Sequence, residues 1–549
     1  MTTTTHARHR TPTAHVGAAP LAGLGTMIRF ILRRDRIKLP AWIIGHGLFV
    51  IYITAALPQL APTQRDLAGL TTLLTQPVGR MFTGPAIGLE DPTYERFFAA
   101  GYAPYLFIIA ALMSIFLVTR HTRAEEQSGR AELLRASVLG RHTMLTATLI
   151  VAGLANLAAA AIVTALTLAA GYPTAGSILI GVATGMTGMV FAGITAVTVQ
   201  INEFSRAAAG MAGAVLGAAF VLRAVGDMAE VGGSAISWVS PLAWAAQTAP
   251  YVENRWWPLA LSAGLAVATI VIGFVLQDRR DFGASLVPPR PGNTRAHPGL
   301  GHPLGLAARL QRGGVLGWGF GILALGVIDG LFTQAMLDAA YAMPPELAAV
   351  FGSDQLLEGY VGFLASFVAI LTAAYVVYAM QTLRAEESTG RADAVLATPV
   401  SRPGWLGAHA LVVALGALLI LVITGLGTGL ASAAVTGEAW LIGEVIEAHL
   451  ATAPAVLVVL GITAGLFGIL PRLMTLVGWL AVTVIAIVDL FGELLDLPEW
   501  FRALSPLWHL ATIPAEDFEP IPFIVLLALA AVTVVIGLAG FRRREINIR

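Results

Sequence analysis

Arg-Ala-Glu-Glu-Ser-Thr-Gly-Arg-Ala-Asp-Ala-Val-Leu-Ala, residues 384–397, repeats an earlier stretch, Arg-Ala-Glu-Glu-Gln-Ser-Gly-Arg-Ala-Glu-Leu-Leu-Arg-Ala at residues 123–136. Arg123, Glu125, Glu126, Gly129 and Arg130 recur as Arg384, Glu386, Glu387, Gly390 and Arg391, each 261 positions on, and Arg141 recurs as Arg402. Each copy lies between two long apolar runs. A charged loop repeated between membrane spans points to a duplicated transporter whose two loops face one partner, or two copies of it.

The rest of the chain fits that frame. Of 549 residues, 56% are hydrophobic and 12% charged, with a mean hydropathy of +0.76; a soluble domain carries about 25% charged residues. Several runs of about 20 residues carry almost no charge, the length needed to cross the hydrocarbon core. The expectation is an all-α polytopic membrane protein with twelve spans, arranged as two parallel six-helix repeats. With the N-terminus in the cytoplasm, all but six of the 33 Lys and Arg fall on the cytoplasmic side, the exceptions being Arg65, Arg80, Arg96, Arg223, Arg255 and Arg502. The positive-inside rule therefore puts both termini in the cytoplasm and the chain in the cell membrane. The absence of cysteine excludes disulfides, thiolate metal sites and cysteine nucleophiles.

Residues 1–26 are polar, lack a signal-like apolar run and read as a disordered cytoplasmic tail. Residues 27–282 form the first half. It opens on Met27–Lys38, either an amphipathic helix on the inner leaflet or the basic flank of the first span. A loop of about 40 residues follows that span outside. Residues 283–304, rich in Pro and Gly, form a cytoplasmic linker, and residues 305–549 form the second half. Landmarks recur in order: Gly193-Ile-Thr-Ala as Gly461-Ile-Thr-Ala, Ser240-Pro-Leu as Ser505-Pro-Leu, and Arg280-Asp281 as Arg544-Glu545.

In the loops, at residues 120–142 and 382–404, Ser128 and Thr389 are expected to cap a short helix. Its first turn carries Glu132 or Asp393, where the helix dipole favours an acid. Glu125-Glu126 and Glu386-Glu387 stand just before it. A soluble partner could dock on such a helix by charge complementarity; the blander reading is a solvated loop whose acids and arginines pair with one another.

The chain resembles the permease subunit of ABC-2 type exporters, in the duplicated actinobacterial form called tetronasin or polyketide-antibiotic transport permeases. The resemblance is carried by the Glu-Glu-x-x-Gly-Arg-x-Glu/Asp loops, by Thr398-Pro-Val-Ser-Arg402, by the two Ser-Pro-Leu sites and by the terminal Arg-Arg-Glu. It implies type V ABC exporter-like transmembrane domains, each half preceded by an elbow helix, and efflux of hydrophobic drugs or polyketide antibiotics. It also implies coupling helices at Glu125–Ser137 and Glu386–Thr398 that contact an ATPase. The coupling residues would be Glu125, Glu126, Gly129, Arg130 and Glu132, and Glu386, Glu387, Gly390, Arg391 and Asp393. The first copy has Ser137-Val-Leu-Gly where the second has Thr398-Pro-Val-Ser, so the two contacts need not be equal.

Lys38 is the only lysine and follows no Gly-rich loop, so the chain has no P-loop. If transport is driven by ATP, ATP and Mg are bound by a separate ATPase, two copies per permease chain. No cofactor, metal cluster, catalytic constellation or nucleic-acid partner is expected in this chain. Phe363, Phe367, Leu371, Tyr375 and Tyr378 share a helix face and could line a cavity for bulky apolar compounds, or simply pack against lipid or neighbouring helices. His46 reads as a hydrogen-bonded core side chain. Arg223, Asp329 and Asp489 read as charges reaching the outer interface. The alternative is a proton-coupled transporter of the major facilitator type; the shortage of acids within spans counts against it.

Overall fold

An apolar segment in lipid must satisfy every backbone polar group internally, which leaves the helix as its only open-ended solution. In the computed structural model, which describes residues 20–129, 139–281, 283–287, 292, 294–340, 356–492 and 497–545, twelve helices among those residues are long and apolar enough to cross a membrane. The protein is an all-α polytopic membrane protein. It divides into two compact units, residues 1–291 and 292–549.

The first unit begins with α1 (Leu24–Arg34) and α2 (Lys38–Leu60), continues through α3 (Gln64–Thr75), α4 (Pro77–Phe82) and α5 (Tyr94–Gly101), and reaches α6 (Ala103–His121) and α7 (Arg123–Gln127). Then come α8 (Thr143–Ala169), α9 (Thr174–Ile201), α10 (Ser205–Ala229), α11 (Pro241–Ala246) and α12 (Pro258–Asp278). Helix α9 is the hub, packing on α6, α8 and α12. The second unit runs α13 (Pro303–Ala340), α14 (Leu356–Ser388), α15 (Arg391–Leu396), α16 (Arg402–Thr436), α17 (Leu441–Ala451), α18 (Ala453–Ile469), α19 (Pro471–Phe491), α20 (Glu499–Arg502) and α21 (Pro520–Arg543). Here α17 and α18 share one span, broken at Thr452 ahead of Pro454, whose ring cannot continue an unbroken ladder. Helices α14 and α18 supply much of this unit's core, with Tyr375, Trp405 and Phe467 fully enclosed.

Three expectations change. The elbow is a separate helix only in the first unit, where α1 turns Met27 and Ile31 inward and exposes Arg29 and Arg33. In the second unit the elbow implied by the resemblance is continuous with the first span: α13 has 38 residues, or about 57 Å at 1.5 Å per residue. The external loop after α2 is itself helical, as α3, α4 and α5. That changes Arg223, which does not snorkel. It is 1% exposed and pairs with Asp227 at 3.1 Å. Its other nitrogen donates to the carbonyls of Met81 and Phe82 at the end of α4, at 2.8 and 3.3 Å. His46 behaves as expected, buried with Nδ1 bonded to the Trp42 carbonyl at 2.8 Å.

The repeated Gly-Ile-Thr-Ala has a packing cause. A Cβ on Gly193 would stand 2.2 Å from Thr269 Oγ1, and one on Gly461 would stand 2.0 Å from Thr533 Oγ1, so in each unit the glycine lets the fourth and sixth spans touch backbone to side chain. Gly425 and Gly429 likewise seat α16 against the backbone of α17, whereas Gly213 and Gly217 face open space. Gly461→Val is expected to force α18 and α21 apart and to destabilise the second unit by about 1–3 kcal/mol, read as a lower thermal midpoint in detergent. Gly213→Val should leave that midpoint unchanged.

Candidate functional site

The repeated loops sit at the arginine-rich end of each unit, and the structure gives their acids partners. In the first unit α6 breaks at Thr122, whose hydroxyl donates back to the Val118 carbonyl at 2.6 Å, and α7 starts one residue later. Glu125 is ion-paired with Arg34 of α1. Glu126 receives both terminal nitrogens of Arg280, just beyond α12, at 2.6 and 2.9 Å, and Arg123 at 2.5 Å. Arg123, 1% exposed, also donates to the carbonyls of Asn202 at 2.6 Å and Ala284 at 2.8 Å. One carboxylate thus ties the end of the second span to the end of the sixth.

The second unit builds the same clasp. Glu387 receives both terminal nitrogens of Arg544, beyond α21, at 2.8 and 3.0 Å. The two side chains are 7% and 15% exposed. Planar two-point pairing of this kind fixes orientation as well as charge. The Arg544 guanidinium also lies over the rings of Phe467 and Phe541, 5.3 and 5.2 Å from their centroids. The flanking arginine repeats too. Arg141 donates to the Asp278 carbonyl at 2.8 Å and Arg402 to the Arg544 carbonyl at 2.6 Å. Glu386 stays local, on Arg391 at 2.7 Å. That hydrogen bond, with the attraction of the carboxylate, holds the Arg391 pKa above its ordinary value.

The glycines of the repeat mark a shared turn. Gly129 and Gly390 have φ of 72° and 73°, the left-handed region that side chains disfavour. Their N–H groups donate to the Glu126 and Glu387 carbonyls at 3.1 and 3.0 Å. In the second unit this turn launches α15, whose Ala392 is buried and whose first turn carries Asp393. Thr389 does not cap α15. Its hydroxyl returns to the Ala385 carbonyl at 2.6 Å and closes α14, because Gly390 occupies the cap position. Ser128 likewise donates to the Glu125 carbonyl, at 3.1 Å. Arg130 and Glu132 lie outside the described residues.

Glu125, Glu126 and Glu387 are therefore not an open acidic surface; they hold the loops in place. Exposed on the second loop are Ser388, Thr389, Arg391, Ala394 and Ala397–Pro399. The sequence shows Arg280 and Arg544 as matching landmarks without naming their partners; the recurrence of both with the Glu pairs was the available signal.

The aromatic stripe on α14 does not form one wall. Phe363 lines a cavity of about 450 Å³ at the opposite end of the second unit, and Phe367 stacks on it with ring centroids 6.5 Å apart. Tyr375 is fully buried, and Tyr378 is exposed beside Trp318. Steps of four residues drift by about 40° around a helix of 3.6 residues per turn. The stripe therefore winds from the cavity into the core and out onto the surface.

Comparison with known proteins follows the same two-part plan. The family model described as "Multidrug efflux system permease Rv1217c, C-terminal domain" matches residues 24–276 and 300–542, one segment in each unit. A relative from Mycobacterium tuberculosis (strain ATCC 25618 / H37Rv), "Multidrug efflux system permease protein Rv1217c", is 34% identical over 550 residues, covering 98% of each chain.

Proposed function

The chain belongs to the multidrug efflux system permease family, and from that premise we propose that it is the membrane-spanning subunit of an ATP-driven ABC-2 type exporter. In this reading it carries hydrophobic drugs or polyketide antibiotics out of the cell, with both termini and both clasped loops in the cytoplasm. Two separate ATPase subunits, which bind ATP and Mg, press on the two loops; the chain itself supplies no nucleotide site, its only lysine being Lys38.

The observation that carries this reading is the clasp made twice over, Glu126 with Arg280 and Glu387 with Arg544. A loop bound only to itself would absorb a push. A loop pinned by a two-point ion pair to the end of another span passes the push into the bundle, moving the second and sixth spans together. The exposed face of α15, with Arg391 and Ala394, is then the surface the ATPase meets, and Gly390 sets its angle. The buried acids serve as struts behind that surface.

Co-purification tests the partnership. Expressed together with a candidate ABC ATPase, the chain should be recovered with two ATPase copies per permease and should raise ATP hydrolysis above that of the ATPase alone. Recovery without any ATPase, and no effect on hydrolysis, would contradict the reading.

A further inference from the structure

We infer that the cavity at the far end of the second unit binds an amphiphilic organic cation through Asp489. The inference rests on the efflux reading for its purpose, though not for its geometry, and it names the chemical class that the site recognises.

The argument starts from the two units' unequal treatment of one acid. Asp227 and Asp489 close the fifth span of their units, and each accepts a hydrogen bond from a serine hydroxyl in the segment that follows. Ser237 donates to Asp227 Oδ1 at 2.6 Å and Ser505 to Asp489 Oδ2 at 2.6 Å. In the first unit Arg223, one turn earlier, neutralises the acid at 3.1 Å. In the second unit the residue one turn before Asp489 is Ile485, 3% exposed within the apolar core. Among the described residues Asp489 has no ion-pair partner, and its Oδ1 accepts no hydrogen bond. A half-buried acid without an ion-pair partner is costly, and a ligand that supplies the charge is the natural remedy.

The surroundings fit such a ligand. Asp489 lines a cavity of about 450 Å³, within the range that encloses drug-sized molecules. Phe363 and Trp508 line it, and aromatic rings attract organic cations. Glu516 adds a second carboxylate, one oxygen of which takes the Thr512 N–H at 2.8 Å. The wall's arginine, Arg502, is already engaged, donating to the Leu497 and Gly492 carbonyls at 3.0 and 3.1 Å. With two acids against one arginine, the lining carries an excess of negative charge among the described residues and attracts a cation. The two aromatic side chains in its lining then favour an organic cation over a small hydrated one.

Ethidium, followed by fluorescence on the purified full chain in nanodiscs, tests this, with the neutral dye Nile red as control. Asp489→Asn keeps an acceptor for Ser505 and removes only the charge. It is expected to weaken ethidium binding about tenfold or more while leaving Nile red unchanged. Ile485→Arg, which gives the second unit the counter-ion that the first already has, should do the same. Undiminished ethidium affinity in Asp489→Asn, or an equal loss of both dyes, would overturn the proposal. Because neither ATPase nor transport enters the assay, failure of the export reading would leave this result standing, and the converse also holds.

Discussion

In the proposed exporter, Glu387→Gln and Arg544→Gln are each expected to reduce ATP-driven export about tenfold or more while the protein still inserts and purifies folded and monodisperse. The reason is where the pair sits. Both residues lie at the ends of spans, Glu387 in the last turn of α14 and Arg544 just beyond α21, so losing the pair need not unfold the unit. Locally the effect is large. Removing one partner of a buried pair costs about 3–5 kcal/mol because the other charge is stranded. The 15% exposure of Arg544 places this pair at the lower end of that range. A loop freed by that amount yields before the spans do, and ATPase stimulation by drug should fall with transport. The exchanged pair, Glu387→Arg with Arg544→Glu, should recover part of both activities. Full activity in both single variants would remove the clasp from the mechanism.

Arg223→Leu should give the largest loss of stability. Arg223 and Asp227 are 1% and 0% exposed. With the guanidinium gone, the carboxylate keeps Ser237 but loses its charge partner, and the carbonyls of Met81 and Phe82 lose their donor. A destabilisation of about 3–5 kcal/mol follows, visible as a lower thermal midpoint and a reduced yield of monodisperse protein. The double variant Arg223→Leu with Asp227→Leu should regain much of it, since an apolar pair of similar volume often replaces a buried ion pair at little cost. A single variant as stable as the parent would show that the pair is not held as the geometry places it.

The twelve spans were legible because lipid imposes a simple rule on composition, and that rule reads off a sequence directly. The duplication was legible because identical spacing survives in the letters. Contact was the part hidden from the sequence. Glu126 meets Arg280 across 154 positions, and nothing in local spacing selects that arginine over its neighbours. The same limit explains Arg223, which reads as a snorkelling charge until α4 folds over it. Thr389 matches the cap pattern, yet the left-handed Gly390 takes the position. The stripe from Phe363 to Tyr378 kept its helical spacing but not a common environment, because its neighbours change along α14.

Transport into sealed liposomes bears most directly on the central proposal, that this chain moves drugs with work delivered by a separate ATPase. The purified chain would be reconstituted alone and together with the ATPase, and drug accumulation followed under a pH gradient or with ATP and Mg. Accumulation only when ATPase and ATP are both present is the expected result. Accumulation by the chain alone, driven by the pH gradient, would contradict the account.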